Sequence, residues 1–395
     1  MRVELTAEQR AARAEFRAFA KEEVAPHADR FDREEAIPTA LIGRLAERGD
    51  LGSLVSAEHG GLGRDMITYG LLTEELGKAC SSVRSLLTVH DMVAHGIERW
   101  GSAALRERWL PPLARGRVIG ALAVSEPGAG SDASGIETVA LAEGDSFLLS
   151  GRKKWISFGQ IAGLFLVLAK LEDKPTAFLV EREMPGVTVK PLAGITGTRA
   201  SMLAEIFLDG CRVPKENLIG RPGFGVSAVI STALDHGRYS VAWGAVGLAQ
   251  GCLDASRAYA AERRQFGRTI GSYQALRHLL ADMYVRQSSM WSTVLYAAAA
   301  LDDDLPDAEP TAAVAKAYVA RSAREVAHGA LQVFGGIAFT EEHQAHRFLR
   351  RIVVREQQFG DAAHHERELG RALAAGAAGR RDADPAPTVA PAPVT

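Results

Sequence analysis

The chain has 395 residues, 47% of them hydrophobic and 24% charged, with a formal net charge of −2. That is enough chain for two or three packed cores, and it carries no global basic field that would draw nucleic acid or an anionic membrane surface. Three scattered cysteines, Cys80, Cys211 and Cys252, exclude a disulfide framework or a zinc cluster; no other metal site is indicated.

The first residues, MRVELTAEQRAARAEF, mix acids with bases and contain no apolar core of a signal peptide. No run of about 18 apolar residues follows anywhere, so no membrane span is expected and the protein reads as cytoplasmic. Residues 1–115 carry a helical period. Thr6 with Gln9 three positions later predicts a capping box, and Ala12, Phe16, Phe19 and Val24 fall on one helical face.

Near residue 116 the texture changes. VIGALAV, SFLLSGRKKWIS, GLFLVLAKL, PTAFLVER, VTVKPL and AEIFLDGCRVP are short runs rich in β-branched and aromatic residues, separated by Gly, Pro and charged turns. They predict an antiparallel β domain over 116–222. From 223 the helical period returns, with DDDLPDAEP at 302–310 as a loop between two helices, and a helical bundle is expected over 223–375. The last stretch, 376–395, is rich in Pro and Ala and reads as a disordered tail. The order of helices, strands and helices excludes a doubly wound nucleotide fold, in which strand and helix would alternate.

Four motifs carry chemistry only in combination. AVSEPGAGSD (123–132) follows a strand. Its glycines permit tight turns, and its free N–H groups with Ser125 and Ser131 suit a phosphate or a ring edge. The plain alternative is a Gly-rich loop. In GRKKWIS (151–157), Trp155 can cover a flat ring beside Ser157, or it is a half-buried core residue. In AERRQFG (261–267), Arg263 can hold a pyrophosphate, or it belongs to a solvated charged face. QVFGG (332–336) is by itself a helix end with its glycine stop.

In this order and spacing the four motifs resemble those of the acyl-CoA dehydrogenase family, over about residues 1–375. The resemblance implies an α+β multidomain fold: an N-terminal helical domain, a middle antiparallel β domain and a C-terminal four-helix bundle. It also implies FAD and a homodimer or homotetramer. It assigns FAD contacts to Val124, Ser125, Gly130, Ser131, Trp155, Ser157, Arg263, Gln265, Phe266, Gln274, Gln332 and Gly336, some of them across a subunit interface. Ser125 and Ser157 would bond the isoalloxazine edge, Trp155 would pack on it, and Gly130 and Ser131 would lie near the pyrophosphate. At Gln265 the family often has Thr or Ser.

The base is the difficulty. Family members usually carry Tyr-Glu-Gly-Thr near the end of the chain, and that Glu removes the α-proton of an acyl thioester. Counted from Arg347 without gaps, the motif falls on Gln358-Phe359-Gly360-Asp361. Phe359 therefore stands at the Glu position, and Asp361 at the Thr position. Some relatives place the Glu before an Arg on an earlier helix; here Gly237 precedes Arg238. Glu356, Asp361 and His236 are the nearest alternatives, and each is also readable as a solvated charge or a packing residue. The adjacent His364 and His365 point about 100° apart on a helix and read as surface rather than as metal ligands.

Loss of a positioned base costs a desaturase 10²–10⁴-fold, whereas oxidation at a carbon bearing oxygen has only an O–H proton to lose. The short chain, the FGD departure and the overall pattern are similar to those of the acyl-carrier-protein dehydrogenases of polyketide extender-unit synthesis, which act on a glyceryl-type group. The substrate would ride on an acyl carrier protein or on CoA. The short KLEDKPTAF hairpin (170–178) would leave the mouth open to a carrier, with Arg152, Lys153 or Lys190 as exposed bases to meet it. An α,β-desaturating acyl-CoA dehydrogenase with a displaced base, a flavin monooxygenase on the same fold and a non-enzymatic carrier-binding scaffold stand as alternatives. Nothing in the sequence names the electron acceptor.

Overall fold

A computed structural model describes residues 4–377 apart from 304, 306 and 307. Six helices come first: α1 (Ala7–Phe19), α2 (Ala28–Glu34), α3 (Thr39–Glu47), α4 (Met66–Ala79), α5 (Ser81–Trp100) and α6 (Ala103–Ala114). The expected capping box opens α1, with Thr6 Oγ1 accepting from Gln9 N at 3.1 Å and Gln9 Oε1 from Thr6 N at 3.0 Å. Phe16, Phe19 and Val24 are buried, as their shared face requires.

Eight strands follow: β1 (Gly120–Ala123), β2 (Val139–Glu143), β3 (Ser146–Ile156), β4 (Leu164–Leu171), β5 (Lys174–Glu181), β6 (Val187–Pro191), β7 (Ala204–Pro214) and β8 (Leu218–Ile219). The sheet runs β6-β7-β3-β2-β4-β5-β8, with β1 also paired to β4. It is mixed rather than antiparallel, because β1 and β2 both run parallel to β4. The reason lies in the register. Ala123 pairs with Val167 and Val139 with Lys170, so β1 and β2 lie along one side of β4 as a single interrupted strand line. Residues 124–138, the Gly-rich motif, are an excursion from that line. The β4–β5 hairpin turns on Glu172 and Asp173, whose φ of 51° and 59° fit the type I′ turn that matches strand twist.

The C-terminal part contains α7 (Ser231–Glu262), the two-stranded hairpin β9 (Arg264–Gln265) and β10 (Arg268–Thr269), then α8 (Gln274–Asp302), α9 (Ala308–Phe334), α10 (Ala345–Gln357) and α11 (Ala362–Ala377). Residues 376 and 377, expected in a tail, extend α11; the rest of that stretch, 378–395, lies outside the described residues. α7 crosses α4 at backbone contact. A Cβ on Gly247 would stand 1.9 Å from Glu74 O, and one on Gly77 2.6 Å from Gly244 O. Glycine is the residue that permits this approach, and it joins the first and last helical regions into one core. Among the described residues no helix is long and apolar enough to cross a membrane, and no cluster of His, Cys, Asp and Glu is placed to hold a metal ion.

Candidate active site

The Gly-rich excursion is anchored from beneath by a buried ion pair. Glu126 accepts from Glu137 N at 2.6 Å, Thr138 N at 3.1 Å, Thr138 Oγ1 at 2.5 Å and Lys153 Nζ at 2.7 Å. Lys153 also donates to Val124 O at 3.1 Å, and Lys154 N to Ser125 O at 2.9 Å. Burial works against the Glu126 carboxylate, but the hydrogen bonds from Lys153, Thr138 and the backbone hold its pKa below the usual range. Burial pushes the Lys153 ammonium down to about 8 against the pull of Glu126. Lys153 is fully buried, so it is not the exposed base expected from the sequence. The sequence offers no signal for Glu126 beyond its neighbours along the chain, which are the motif it holds.

Strand β3 brings up the second motif. A bulge breaks its pairing with β7 between Lys153 and Ile156, and Trp155 sits inside it with φ 59°. Phe158, with φ 56°, is buried, and its N–H donates to Ser201 O at 2.8 Å. A left-handed backbone costs a residue with a side chain about 1–2 kcal/mol. Both strained positions flank Ser157, and the bulge leaves the indole of Trp155 half exposed.

These residues open on a cavity of about 550 Å³. It is lined by Val124, Ser125, Gly130, Ser131, Trp155 and Ser157 of the β domain and by Leu234 and Arg238 of α7 with residues 357–361, His364 and Arg367. Val89 and Met92 of α5 line it as well. Added Cβ atoms at Gly128 and Gly130 would meet nothing within 4 Å, so the loop backbone is open to an approaching group. A flat indole, three hydroxyls and a loop with accessible backbone suit an isoalloxazine ring and its phosphates, and this half of the expected FAD set is brought together.

The other half is not. Arg263 caps α7, Gln265 and Phe266 sit at the β9–β10 hairpin and Gln274 begins α8, while Gln332 lies in the last turn of α9 and Gly336 just beyond it; none lines the cavity. The Phe266 side chain is 94% exposed at the hairpin tip.

The loop between α10 and α11 carries the motif position in question. Phe359 has φ 60° and Gly360 φ 98°. Arg238 Nε donates to Phe359 O at 2.9 Å, and Lys316 Nζ lies 3.3 Å from Glu356 O and 3.4 Å from Gly360 O. Asp361 caps α11, accepting from His364 N at 2.7 Å. Phe359 packs directly on Gly237, so both usual base positions meet in one apolar contact.

Two proposed bases are displaced from the site. Glu356 points away from the cavity, where Arg324 Nη1 holds its two oxygens at 2.8 and 3.1 Å. His236 is buried between Tyr69 and His95, with ring centroids 5.2 and 5.6 Å away. Burial, helped by His95, lowers its pKa to about 3, and it does not line the cavity. Of the three candidates Asp361 alone reaches the cavity. The histidine pair also departs from expectation: His365 is buried rather than on the surface, and His364 faces the cavity. Counting helical positions from Asp361 finds this, since 361, 364 and 367 share one face.

Models of the acyl-CoA dehydrogenase N-terminal, middle and C-terminal domains match residues 6–117, 121–211 and 223–378. A probable acyl-CoA dehydrogenase of Bacillus subtilis, YngJ, is 38% identical over 89% of this chain and 93% of its own. The mitochondrial short-chain specific acyl-CoA dehydrogenase of Mus musculus is 36% identical over 90% and 87%. The structure of butyryl-CoA dehydrogenase from Megasphaera elsdenii superimposes with a TM-score of 0.90 at 30% identity, covering 95% of this chain and all of that one. The chain therefore belongs to the acyl-CoA dehydrogenase family; it is a flavin-dependent oxidoreductase of acyl thioesters, and its cofactor is FAD.

Proposed function

We propose that this family member oxidises a small acyl thioester at a carbon bearing oxygen, a glyceryl-type group carried on an acyl carrier protein, as in polyketide extender-unit synthesis. The observation that carries the reading is the Phe359–Gly237 contact, which puts an apolar surface where an α-proton would need a carboxylate. FAD, when bound, takes the hydride. A hydroxyl or aldehyde hydrate supplies its own lone pair to drive that departure and has only an O–H proton to lose. Phe359, Met92 and Leu234 exclude water from the reacting carbon. Ser125 and Ser157 orient the ring, and the strained bulge fixes Trp155 against it. Gln265, Phe266 and Arg263 complete the cofactor site of a neighbouring subunit in a homodimer or homotetramer.

The carrier is supported by the two-residue β4–β5 turn, which leaves the flank of the sheet low. The basic face is smaller than the sequence indicates. Lys153 is buried, and Arg152 and Lys154 are paired with Glu205 at 2.5 and 3.4 Å; Lys190 is exposed and lies over the Phe207 ring at 4.7 Å. Turnover of one acyl group on carrier and on CoA separates the two forms; equal or better turnover of the CoA form removes the carrier.

The test of the chemistry is anaerobic bleaching of the bound flavin. A glyceryl-type thioester is expected to bleach it and butyryl-CoA to leave it oxidised. The second reading, α,β-desaturation of a short acyl-CoA with a relocated base, is favoured by the names of the relatives. Fast bleaching by butyryl-CoA would establish it.

A further inference from the structure

We propose that His364 takes the substrate proton, acting as the catalytic base in place of the carboxylates missing at 359 and 237. The inference rests on the thioester oxidation proposed above. Of the side chains lining the cavity, the one carboxylate and the one imidazole are those of Asp361 and His364. Asp361 has an oxygen committed to capping α11, on the backbone N–H of His364 itself. The imidazole of His364 stands in the first turn of that helix, turned back over the loop that carries Phe359. A Cβ on Gly360 would lie 2.7 Å from its Cδ2, so the ring rests directly on the residue that follows the usual base position. Gly360 has φ 98° and no side chain, and both features allow the ring this approach.

The ring meets the His365 ring edge-on at 5.2 Å between centroids. His365 is buried, with its Nε2 3.0 Å from the same Cβ position on Gly360, whereas His364 lines the cavity that Ser125, Trp155 and Ser157 also line. A base on α11 thus reaches the cavity that position 359 also lines, from about one helical turn later in the chain. The step balances. The substrate O–H bond breaks and its proton forms a bond to an imidazole nitrogen. The C–H bond breaks and its electron pair leaves with the hydrogen to the flavin, while C=O forms. The thioester is oxidised by two electrons and the flavin reduced by two.

The test uses the FAD-loaded enzyme and its His364→Ala and His364→Gln variants. With the thioester that bleaches the parent, bleaching is expected to slow by about 10²–10⁴-fold at unchanged FAD content. Imidazole in the buffer should restore part of the rate to the Ala variant and none to Gln. Variant rates within threefold of the parent, or a loss that follows loss of FAD, would overturn the proposal, as would a loss confined to Asp361→Asn. If butyryl-CoA rather than the glyceryl thioester bleaches the parent, the preceding reading fails, yet the same comparison run with butyryl-CoA still decides the base. A readout free of turnover covers an enzyme that no tried thioester bleaches. Carbethoxylation of His364 by diethyl pyrocarbonate, mapped by mass spectrometry, should slow several-fold when acetyl-CoA or acetyl carrier protein is present. Unprotected modification with thioester bound would place His364 away from the acyl group and end the proposal.

Discussion

The edge of the Phe359 ring lies on the backbone of Gly237: a Cβ built at 237 would stand 2.9 Å from Phe359 Cε2 and 2.8 Å from Met92 Sδ. The two positions at which relatives carry their base are therefore neighbours, and here each fits only because of what occupies the other. Gly237→Glu is expected to overpack this contact, at about 1–3 kcal/mol of stability, and to give no oxidation of butyryl-CoA. Phe359→Glu replaces a ring by a smaller side chain at the same place. It should fold and gain slow bleaching by butyryl-CoA. Thermal melts and anaerobic spectra read both variants; an unchanged melt for Gly237→Glu would show that the contact is loose.

The buried Glu126–Lys153 pair predicts a stability defect coupled to cofactor loss. Lys153→Met leaves four acceptor bonds of Glu126 reduced to three and the carboxylate without its counter-charge. Removing one partner of a buried pair costs on the order of 3–5 kcal/mol. The loop it anchors carries Ser125, Gly130 and Ser131, so FAD should dissociate at lower temperature than from the parent. Dialysis against increasing chaotrope followed by flavin absorbance checks this. Retention equal to the parent's would mean that the loop holds its shape without the pair.

How much of this was legible in advance differs by physical cause. The helical regions were, because a 3.6-residue period and a capping box are local signals, as at Thr6 and Gln9. The β domain was, but its mixed pairing was not. β1 and β2 share one side of β4, and no local feature of GALA or VALAE specifies a partner more than forty residues away in the case of β1. The ring-facing residues Ser125, Trp155 and Ser157 were legible as a family pattern, while the pair that supports them was read as loop and surface. Lys153 looked exposed because charged residues usually are; its burial depends on Glu126, which is 27 positions earlier. Adjacent histidines on a helix give no sign of which one turns inward; only the packing of α11 buries His365 and leaves His364 lining the cavity.

Arg263 supplies a third prediction. It caps the end of α7 outside the cavity, with its N–H donating to Tyr259 O at 2.8 Å. If its guanidinium serves a pyrophosphate in a neighbouring subunit, Arg263→Ala should lower FAD content without changing the melting temperature of the apoprotein. Truncating the exposed Phe266 to Ala should lower both FAD content and the oligomeric mass seen by light scattering. A Phe266→Ala protein with the parent's mass and full FAD would remove the hairpin from the interface.

The buried histidines predict a specific acid response. His90 is fully enclosed, with Nε2 facing Leu113 O at 3.1 Å and Nδ1 facing Gly120 N at 3.1 Å. Gly120 N–H must donate to Nδ1, so the ring is neutral with its proton on Nε2. Burial, only partly opposed by the carbonyls of Leu113 and Leu51, lowers its pKa to about 4, against roughly 6.5 for an unfolded chain. Between those values the unfolded chain binds the proton and the folded one does not. The stability due to this group is therefore complete above about pH 6.5 and declines as pH falls toward 4, by roughly 1.4 kcal/mol per pH unit. The whole-protein profile will be shallower. Glu74, raised to about 7 mainly by burial, and Asp91, raised well above its ordinary value by the same cause, change stability in the opposite sense. The clean measurement is a difference. Gln at position 90 keeps a donor near Leu113 O and does not titrate. The parent's stability advantage over His90→Gln, from urea unfolding at each pH, should shrink by about 3 kcal/mol between pH 6.5 and 4 and then level off. A gap that stayed constant across that window would show that His90 is charged in the folded state, or that its Nε2 proton is not held by Leu113 O as the geometry requires.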